Sequence, residues 1–419
     1  MAEYSQLAET LIGSEIVKLG NQIRQRKALG ETIYNFTIGD FDPQEFPIPA
    51  LLEAEIVAAY QQHCTSYPAA EGELDLRQAV SAFVAHWQQL HYDTTEIQIA
   101  SGGRPLIYAI FRTLVDAGDK VIYAVPSWNN NHYAHMTGAE HCLIPALPEN
   151  NFMPLAADVE PHLPGATLLC LCTPQNPTGT TLPTNELDQI CRLVMAENAR
   201  RGPGEKKLYV MYDQMYSTLT YGNISHANPV TLHPGMKPYT VFVDGISKAF
   251  CATGVRVGWS LGPAPLIAKM KAILSHVGAW APMAEQKATA KFLVNNPAIK
   301  AFLAHYKKAI EQRLTQIYDG LVALKVKGLG VDAIAPQAAI YLTVKIDLVG
   351  KTSPNGACLV NQEAVTAYLL QHASLAVVPF YCFGAPRESP WYRLSVGTCR
   401  MADIGPMLEK LEAALTDLE

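Results

Sequence analysis

No uninterrupted apolar stretch in the 419 residues approaches the ~18 needed to cross a bilayer, so no membrane span is expected. No block of lysine or arginine stands out either: 32 basic residues against 38 acidic ones leave a net charge of −6. Nucleic acids and anionic membrane surfaces both require a concentrated positive patch, so neither is an expected partner. Met1 to Thr10 carry two glutamates and no basic residue ahead of an apolar core, unlike a secretory leader. The nine cysteines are odd in number and scattered. A disulfide framework is not expected in so long a chain, and no spacing suits zinc. His132 and His135 lie three apart beside Asn129–Asn131, but no third ligand supports a metal, and both read as loop histidines. No repeat, no low-complexity linker and no serine-hydrolase elbow are expected. A cytoplasmic protein is the expectation that remains.

What is present is a globular composition, with 49% hydrophobic and 17% charged residues, in a chain long enough for two domains. Short strand-like runs alternate with helical patterns from about Gln98 to about Leu261. The spacing predicts strands at Ile97–Ala100, Lys120–Val125, Thr167–Cys172, Leu208–Tyr212, Thr240–Val243 and Val255–Leu261. Between them, Leu106, Ile107, Ile110 and Leu114 predict a helix over Pro105–Val115. Leu187, Ile190, Cys191, Val194 and Met195 predict another over Asn185–Arg200, with Thr184 as its N-cap. Near-continuous apolar strands separated by helices indicate an α/β protein with a mainly parallel sheet covered on both faces. The two ends of the chain hold longer helical patterns, including Ile404, Met407, Leu408, Leu411 and Leu415. They read as one smaller α/β domain, residues 1–45 with 301–419, beside a large domain of residues 46–300.

In a parallel α/β sheet, ligands bind in the crevice beyond the C-terminal strand ends, so the residues that follow each strand are informative. Ser101-Gly102-Gly103-Arg104-Pro105 follows the first. Its glycines free backbone N–H groups at a helix start, which suits an anion, although a Gly-Gly turn is more often structural. Trp128 follows the second, where a core or rim tryptophan is the commoner explanation. Thr173-Pro174-Gln175-Asn176-Pro177-Thr178-Gly179 follows the third, its prolines and glycine fixing a turn that aims the Asn176 amide at the crevice. Asp213 ends the fourth, with Tyr216 three residues on; a carboxylate there is costly unless a cation or donors meet it. Next, Val243-Asp244-Gly245-Ile246-Ser247-Lys248 leads to Thr253-Gly254-Val255-Arg256-Val257-Gly258. This places an amine nucleophile and a bidentate phosphate clamp at one edge, if they are not simply two solvated cations flanking a turn.

Together these motifs resemble the class I aminotransferases, pyridoxal-phosphate enzymes of fold type I, in the family's order from Gly39 to Arg393. The resemblance implies that Lys248 is catalytic, holds pyridoxal 5'-phosphate as a Schiff base and moves the substrate α-proton. It implies that Asp213 pairs with the ring nitrogen, making the ring an electron sink. Tyr216 and Asn176 would donate to the ring's phenolic oxygen, and Trp128 would stack on its face. The backbone N–H groups of Gly103 and Arg104, with Ser247 and Arg256, would hold the phosphate. Tyr67, in Ser66-Tyr67-Pro68, looks like the tyrosine that reaches the neighbour's phosphate in a homodimer. Arg393, Gly39 and Asn176 would meet the substrate α-carboxylate.

Three departures stand out: Gly245 where a hydroxyl residue is common, Val255 for a common aromatic, and an altered Gly39-Asp40-Phe41-Asp42-Pro43 stretch. Some similar aspartate aminotransferases carry Gly-Gly-Lys where this chain has Gly102-Gly103-Arg104, and that lysine meets the distal carboxylate. Arg104 is accordingly expected to select aspartate or glutamate, with 2-oxoglutarate as acceptor in a ping-pong reaction. A surface-capping arginine is the plainer reading. Ser14 is a further candidate for the same pocket, whereas Tyr381 and Phe383 would suit aromatic or aliphatic substrates. Other activities of the same family, a lyase or decarboxylase, share the lysine and ring partners. A ligand-sensing module would need a DNA-binding region ahead of the Gly39 motif.

Overall fold

The structure, a computed structural model, describes residues 4–11 and 15–419, so Ser14 lies outside the described residues. Seven strands form the main sheet: β1 (Ile97–Ala100), β2 (Lys120–Val125), β3 (Glu140–Pro145), β4 (Ala166–Cys172), β5 (Tyr209–Asp213), β6 (Thr240–Gly245) and β7 (Gly258–Leu261). Their order is β1-β7-β6-β5-β4-β2-β3. Only β7 runs antiparallel, against both β1 and β6; the other neighbours are parallel. Parallel strands need cover on both faces, and β6 is buried along its whole length.

The six sequence-read strands are all present, with ends moved by a few residues. β7 starts later than expected because Arg256 has a left-handed φ of 63°, which ends any extended run there. Arg256 therefore sits in the turn ahead of the strand. β3 was not read from the sequence. It is an edge strand in which only Ile144 is buried, so it offers no apolar run to detect. Thr184 is the first residue of the Thr184–Arg200 helix, and Pro183 occupies the N-cap position without a side-chain bond. The letters Gly258-x-Ser260-x-Gly262 match a hydrolase motif that the sequence reading had not expected. Ser260 is fully buried inside β7, however, so no strand-to-helix elbow exists there.

The second part of the fold is an antiparallel sheet of β8 (Val331–Ala333), β9 (Tyr341–Ile346), β10 (Val378–Pro379) and β11 (Trp391–Ser395), ordered β10-β11-β9-β8. Tyr34–Asn35 pairs in parallel with Leu375–Ala376, tying the N-terminal segment to the C-terminal part. A 31-residue helix, Asn296–Val326, carries Ile299, Leu303, Ile310, Leu314 and Ile317 on its buried face. It runs through position 300, so the division proposed there falls inside a continuous helix. In the Met401–Thr416 helix, Ile404, Met407, Leu411 and Leu415 are buried as their spacing implies. Among the described residues no helix is long and apolar enough to cross a membrane.

Candidate active site

The C-terminal ends of β1, β2, β4, β5 and β6 open on one cavity of about 860 Å³, closed on the far side by Gly39, Tyr341 and Arg393. Lys248 lies in the four-residue Ile246–Ala249 helix directly after β6. Its Nζ donates to the Gly39 carbonyl at 2.5 Å, and Tyr306 donates to the Lys248 carbonyl at 3.0 Å. Burial lowers the amine to about 8; Asp40 opposes this, while Arg393 and Arg256 add to it. A lysine so tuned gives up its proton far more readily than an ordinary one and is half neutral at about pH 8, which suits a nucleophile or proton carrier.

Asp213, at the end of β5, faces the same cavity. Burial pushes its carboxyl up to about 6, against a single hydrogen bond from the Met215 N–H at 3.1 Å. Among the described residues no cation pairs with it. A carboxyl left in this state fits a protonated ring nitrogen, whose charge would supply the missing partner. Tyr216 and Tyr341 share a hydroxyl–hydroxyl bond of 2.6 Å. Asn176 accepts from Arg393 Nη1 at 2.9 Å through its Oδ1, which leaves its Nδ2 hydrogens free to donate.

A second part of the cavity is built for an anion. The Gly103–Leu114 helix begins there, so its first N–H groups have no partner within the helix. Arg256 is held beside it by Nη1 to the Thr253 carbonyl and Nη2 to the Ser101 carbonyl, both 2.7 Å. A Cβ on Gly102 would lie 2.3 Å from Arg256 Nη2, and one on Gly103 would lie 2.8 Å from Met215 Cε. Gly102, with its φ of 88°, is thus required by the close approach of the Arg256 guanidinium, whereas the contact at Gly103 is with the flexible end of Met215. Ser247 also lines this region and is buried. An aromatic ring with a basic nitrogen and a phosphate arm fits these residues, spanning from Asp213 to the helix start.

Arg393 on β11 is only 2% exposed. Its Nη2 donates to the Thr37 carbonyl at 2.7 Å, and its guanidinium lies 4.8 Å and 4.9 Å from the Tyr341 and Phe383 ring centroids. Its Nε has no partner among the described residues. A buried, positioned guanidinium with an unused donor and no carboxylate is suited to bind one from solution. Gly39 lets the chain pass close by: a Cβ there would lie 2.8 Å from the Tyr341 hydroxyl.

Arg104 and Trp128 both line the cavity, with the guanidinium 5.2 Å from the indole centroid. Trp128 also lies 6.3 Å from Phe383. Tyr67 is elsewhere: it does not line the cavity, is 85% exposed and meets Trp280 edge-on at 5.4 Å. Tyr381 and Phe383 are not part of the cavity wall. His132 and His135 belong to the Asn130–Thr137 helix rather than to a loop. No group of three or more metal-ligating side chains occurs among the described residues.

Several contributors were not read from the sequence. Thr37 acts through its carbonyl, which carries no sequence signal. Tyr341 sits in the apolar run of β9 and reads as core. Asp40 accepts from the Thr253 hydroxyl at 2.5 Å, bracing the altered stretch after Gly39 against the loop that carries Arg256.

The chain matches the family described as aminotransferase class I and II over residues 31–411. The aspartate aminotransferase of Rhizobium meliloti (strain 1021) is 27% identical over 404 residues, covering 96% of this chain and 93% of that one. The crystal structure of the aspartate aminotransferase from Rhizobium meliloti agrees with a TM-score of 0.91 at 26% identity, covering 100% of both chains. The Thermus thermophilus aspartate aminotransferase with maleate agrees with a TM-score of 0.86 at 26% identity, covering 99% of this chain and 100% of that one. The architecture is that of the fold type I enzymes. With the match running through the whole main sheet and from Gly39 to Arg393, the chain belongs to the aminotransferase class I and II family.

Proposed function

We propose that this chain is a pyridoxal-phosphate-dependent aminotransferase that takes the amino group from aspartate or glutamate and passes it to 2-oxoglutarate. The observation that carries this reading is the convergence of Lys248, cation-free Asp213 and carboxylate-free Arg393 on one cavity. Pyridoxal phosphate, when bound, supplies an electron sink for the pair left when the substrate α-proton departs. Arg256, Ser247 and the N–H groups of Gly103 and Arg104 hold the phosphate, Asp213 keeps the ring nitrogen protonated, and Tyr216 and Asn176 donate to the phenolic oxygen. Trp128 covers the ring face. Arg393, with Asn176 and the Gly39 backbone, grips the substrate α-carboxylate and turns the α-hydrogen toward Lys248. Lys248 Nζ would remove that proton and deliver it to the cofactor side within the same half-reaction, and the second half-reaction runs the same transfer in reverse. The donor leaves as its oxo acid before the acceptor enters, which is a ping-pong order.

The acidic preference rests on Arg104, whose guanidinium lines the same cavity while resting on Trp128. The similar Thermus thermophilus enzyme is seen with maleate, a dicarboxylate, which supports this assignment. Replacing Arg104 by alanine is expected to lower kcat/KM for aspartate by roughly 10- to 100-fold, the value of a hydrogen bond to a charged group. The same change should leave turnover of alanine nearly unaltered. Equal loss on both substrates, measured with 2-oxoglutarate as acceptor, would place Arg104 in cofactor binding instead.

The amine of Lys248 has its own pH signature. It is lowered to about 8, so its reactive neutral form is half populated there and increases as pH rises. The rate of cofactor capture by the apoprotein, followed by visible absorbance, should therefore climb through pH 7–9 with a midpoint near 8. A flat profile would mean that another group limits capture.

The 85% exposure of Tyr67 suits a residue completed by a second copy of the chain, and a homodimer in which it reaches the neighbouring phosphate is part of this proposal. The nine cysteines are all free, in keeping with a reducing cytoplasmic compartment.

A further inference from the structure

Among the described residues five cations line the active-site cavity, against two carboxylates, Asp40 and Asp213. Four of the five have a task in the proposed reaction: Arg256 at the phosphate, Lys248 at the reacting carbon, Arg393 at the α-carboxylate and Arg104 at the distal carboxylate. The two carboxylates have partners as well. Asp213 is placed for the ring nitrogen, and Asp40 accepts from the Thr253 hydroxyl at 2.5 Å and the Phe41 N–H at 2.8 Å. Arg24 is the cation left without a task.

Arg24 belongs to the Glu15–Ala28 helix. Ile23, 2% exposed, packs with Ile33, Leu370 and Ala376 and so fixes this helix on the C-terminal part of the fold. Gly20 and Arg24, one turn apart on the same face, both line the cavity. The Arg24 side chain runs back along that face: a Cβ on Gly20 would lie 3.9 Å from Arg24 Nη1, and Nη2 donates to the Asn21 side chain. That neutral amide is its one hydrogen-bond partner among the described residues. Arg26, two residues on, shows the ordinary alternative. It does not line the cavity, and it pairs with Glu31 at 3.4 Å and donates to the Leu370 carbonyl at 3.4 Å. Arg104, at the start of the Gly103–Leu114 helix, also has no carboxylate partner among the described residues and rests on the Trp128 ring. Two guanidinium groups from two different helices therefore border one cavity with their charges uncompensated, and like charges so placed favour an anionic group in that space.

We propose that Arg24 is a specificity-determining residue that joins Arg104 in holding the distal carboxylate of dicarboxylic amino acids and oxo acids. This rests on the reading of the chain as an aminotransferase for acidic substrates. A distal carboxylate has lone pairs enough to accept from both guanidinium groups, whereas the methyl group of alanine leaves both uncompensated. Arg24 touches no reacting atom, so its contribution lies in substrate binding and not in proton transfer.

The test follows the visible band of the cofactor-saturated protein as it is mixed with aspartate, glutamate or alanine, in the parent and in Arg24→Gln, Arg24→Lys and Arg26→Gln. In Arg24→Gln the substrate concentration giving half the maximal rate should rise about tenfold for aspartate and glutamate, the value of one hydrogen bond to a charged group. The maximal rate should hold, alanine should be unaffected, and Arg24→Lys should recover part of the loss. Arg26→Gln should behave as the parent, because it alters the same helix away from the cavity. Calorimetric titration with maleate, a dicarboxylate that cannot react, should show the same tenfold weakening in Arg24→Gln, with propionate binding unchanged. Equal losses on alanine and aspartate, an equal loss in Arg26→Gln, or no loss in Arg24→Gln would each overturn the proposal. A parent protein with no preference for aspartate over alanine would remove the acidic-substrate reading and this proposal with it. A parental preference that Arg24→Gln retains in full removes the role of Arg24 alone.

Discussion

Lys248→Ala is expected to lower turnover by about four orders of magnitude or more while leaving the protein folded. General acid–base catalysis by a positioned side chain is worth about 10²–10⁴-fold, and in the proposed reaction the same amine would also hold the cofactor. Among the described residues no other lysine lines the cavity to replace it. The fold should tolerate the change. The amine is buried at a position that lowers it to about 8, so its native pKa is below the unfolded value. Such a group opposes folding below its native pKa, where it must lose its proton or be buried charged. The opposition fades as pH rises from about 8 through the unfolded pKa, because the unfolded chain then also gives up the proton. The alanine variant should therefore melt no lower than the parent apoprotein at pH 7. A variant that kept more than about one part in a hundred of the activity would remove Lys248 from the reaction, given the magnitudes above.

Arg393→Lys carries the second-largest expected effect. The Arg393 guanidinium is fixed by Thr37 and Asn176, flanked by the Tyr341 and Phe383 rings, and keeps Nε unpaired. A lysine keeps the charge but cannot present two parallel donors or stack between rings. Losing one or two hydrogen bonds to a carboxylate, at roughly 1.5–3 kcal/mol each, corresponds to a fall in kcat/KM of about 10²- to 10³-fold. KM should take most of that loss, and the visible spectrum of the resting protein should be unchanged because Arg393 does not hold the ring. Steady-state kinetics on aspartate checks this directly. A loss below tenfold would show that the α-carboxylate is gripped elsewhere.

The difference between what the sequence disclosed and what it concealed follows the physics of each element. β4 and β6 were legible because a parallel strand covered on both faces is a continuous apolar run. β3 was hidden because an edge strand needs no such run. The same logic divides the site. Lys248, Asp213 and Arg256 stand out as charged groups at apolar strand ends, and the structure brings them to one cavity. Asn176 was visible through the prolines and glycine of its turn. Arg393, by contrast, entered only through the family likeness, since an arginine within a strand of the smaller unit has no local signature. Tyr341 reads as core, and Thr37 contributes only a backbone oxygen. Arg256 was singled out in the sequence as opening a strand, whereas it sits in the turn ahead of one. Its positive φ is one that nothing in the residue type announces. Second-layer groups such as Gln88, Gln214 and Asp244 were equally silent, because a buried polar network is assembled from residues far apart in the chain.

The most direct test of transfer from an acidic donor is a single half-reaction. The purified protein, saturated with pyridoxal phosphate and freed of excess cofactor, is mixed with aspartate in the absence of any oxo acid, and the products are quantified. The expected result is a burst of oxaloacetate close to one equivalent per chain, no ammonia or carbon dioxide, and renewed turnover only when 2-oxoglutarate is added. Continuous release of ammonia or carbon dioxide without an acceptor, or no oxaloacetate at all, would contradict it.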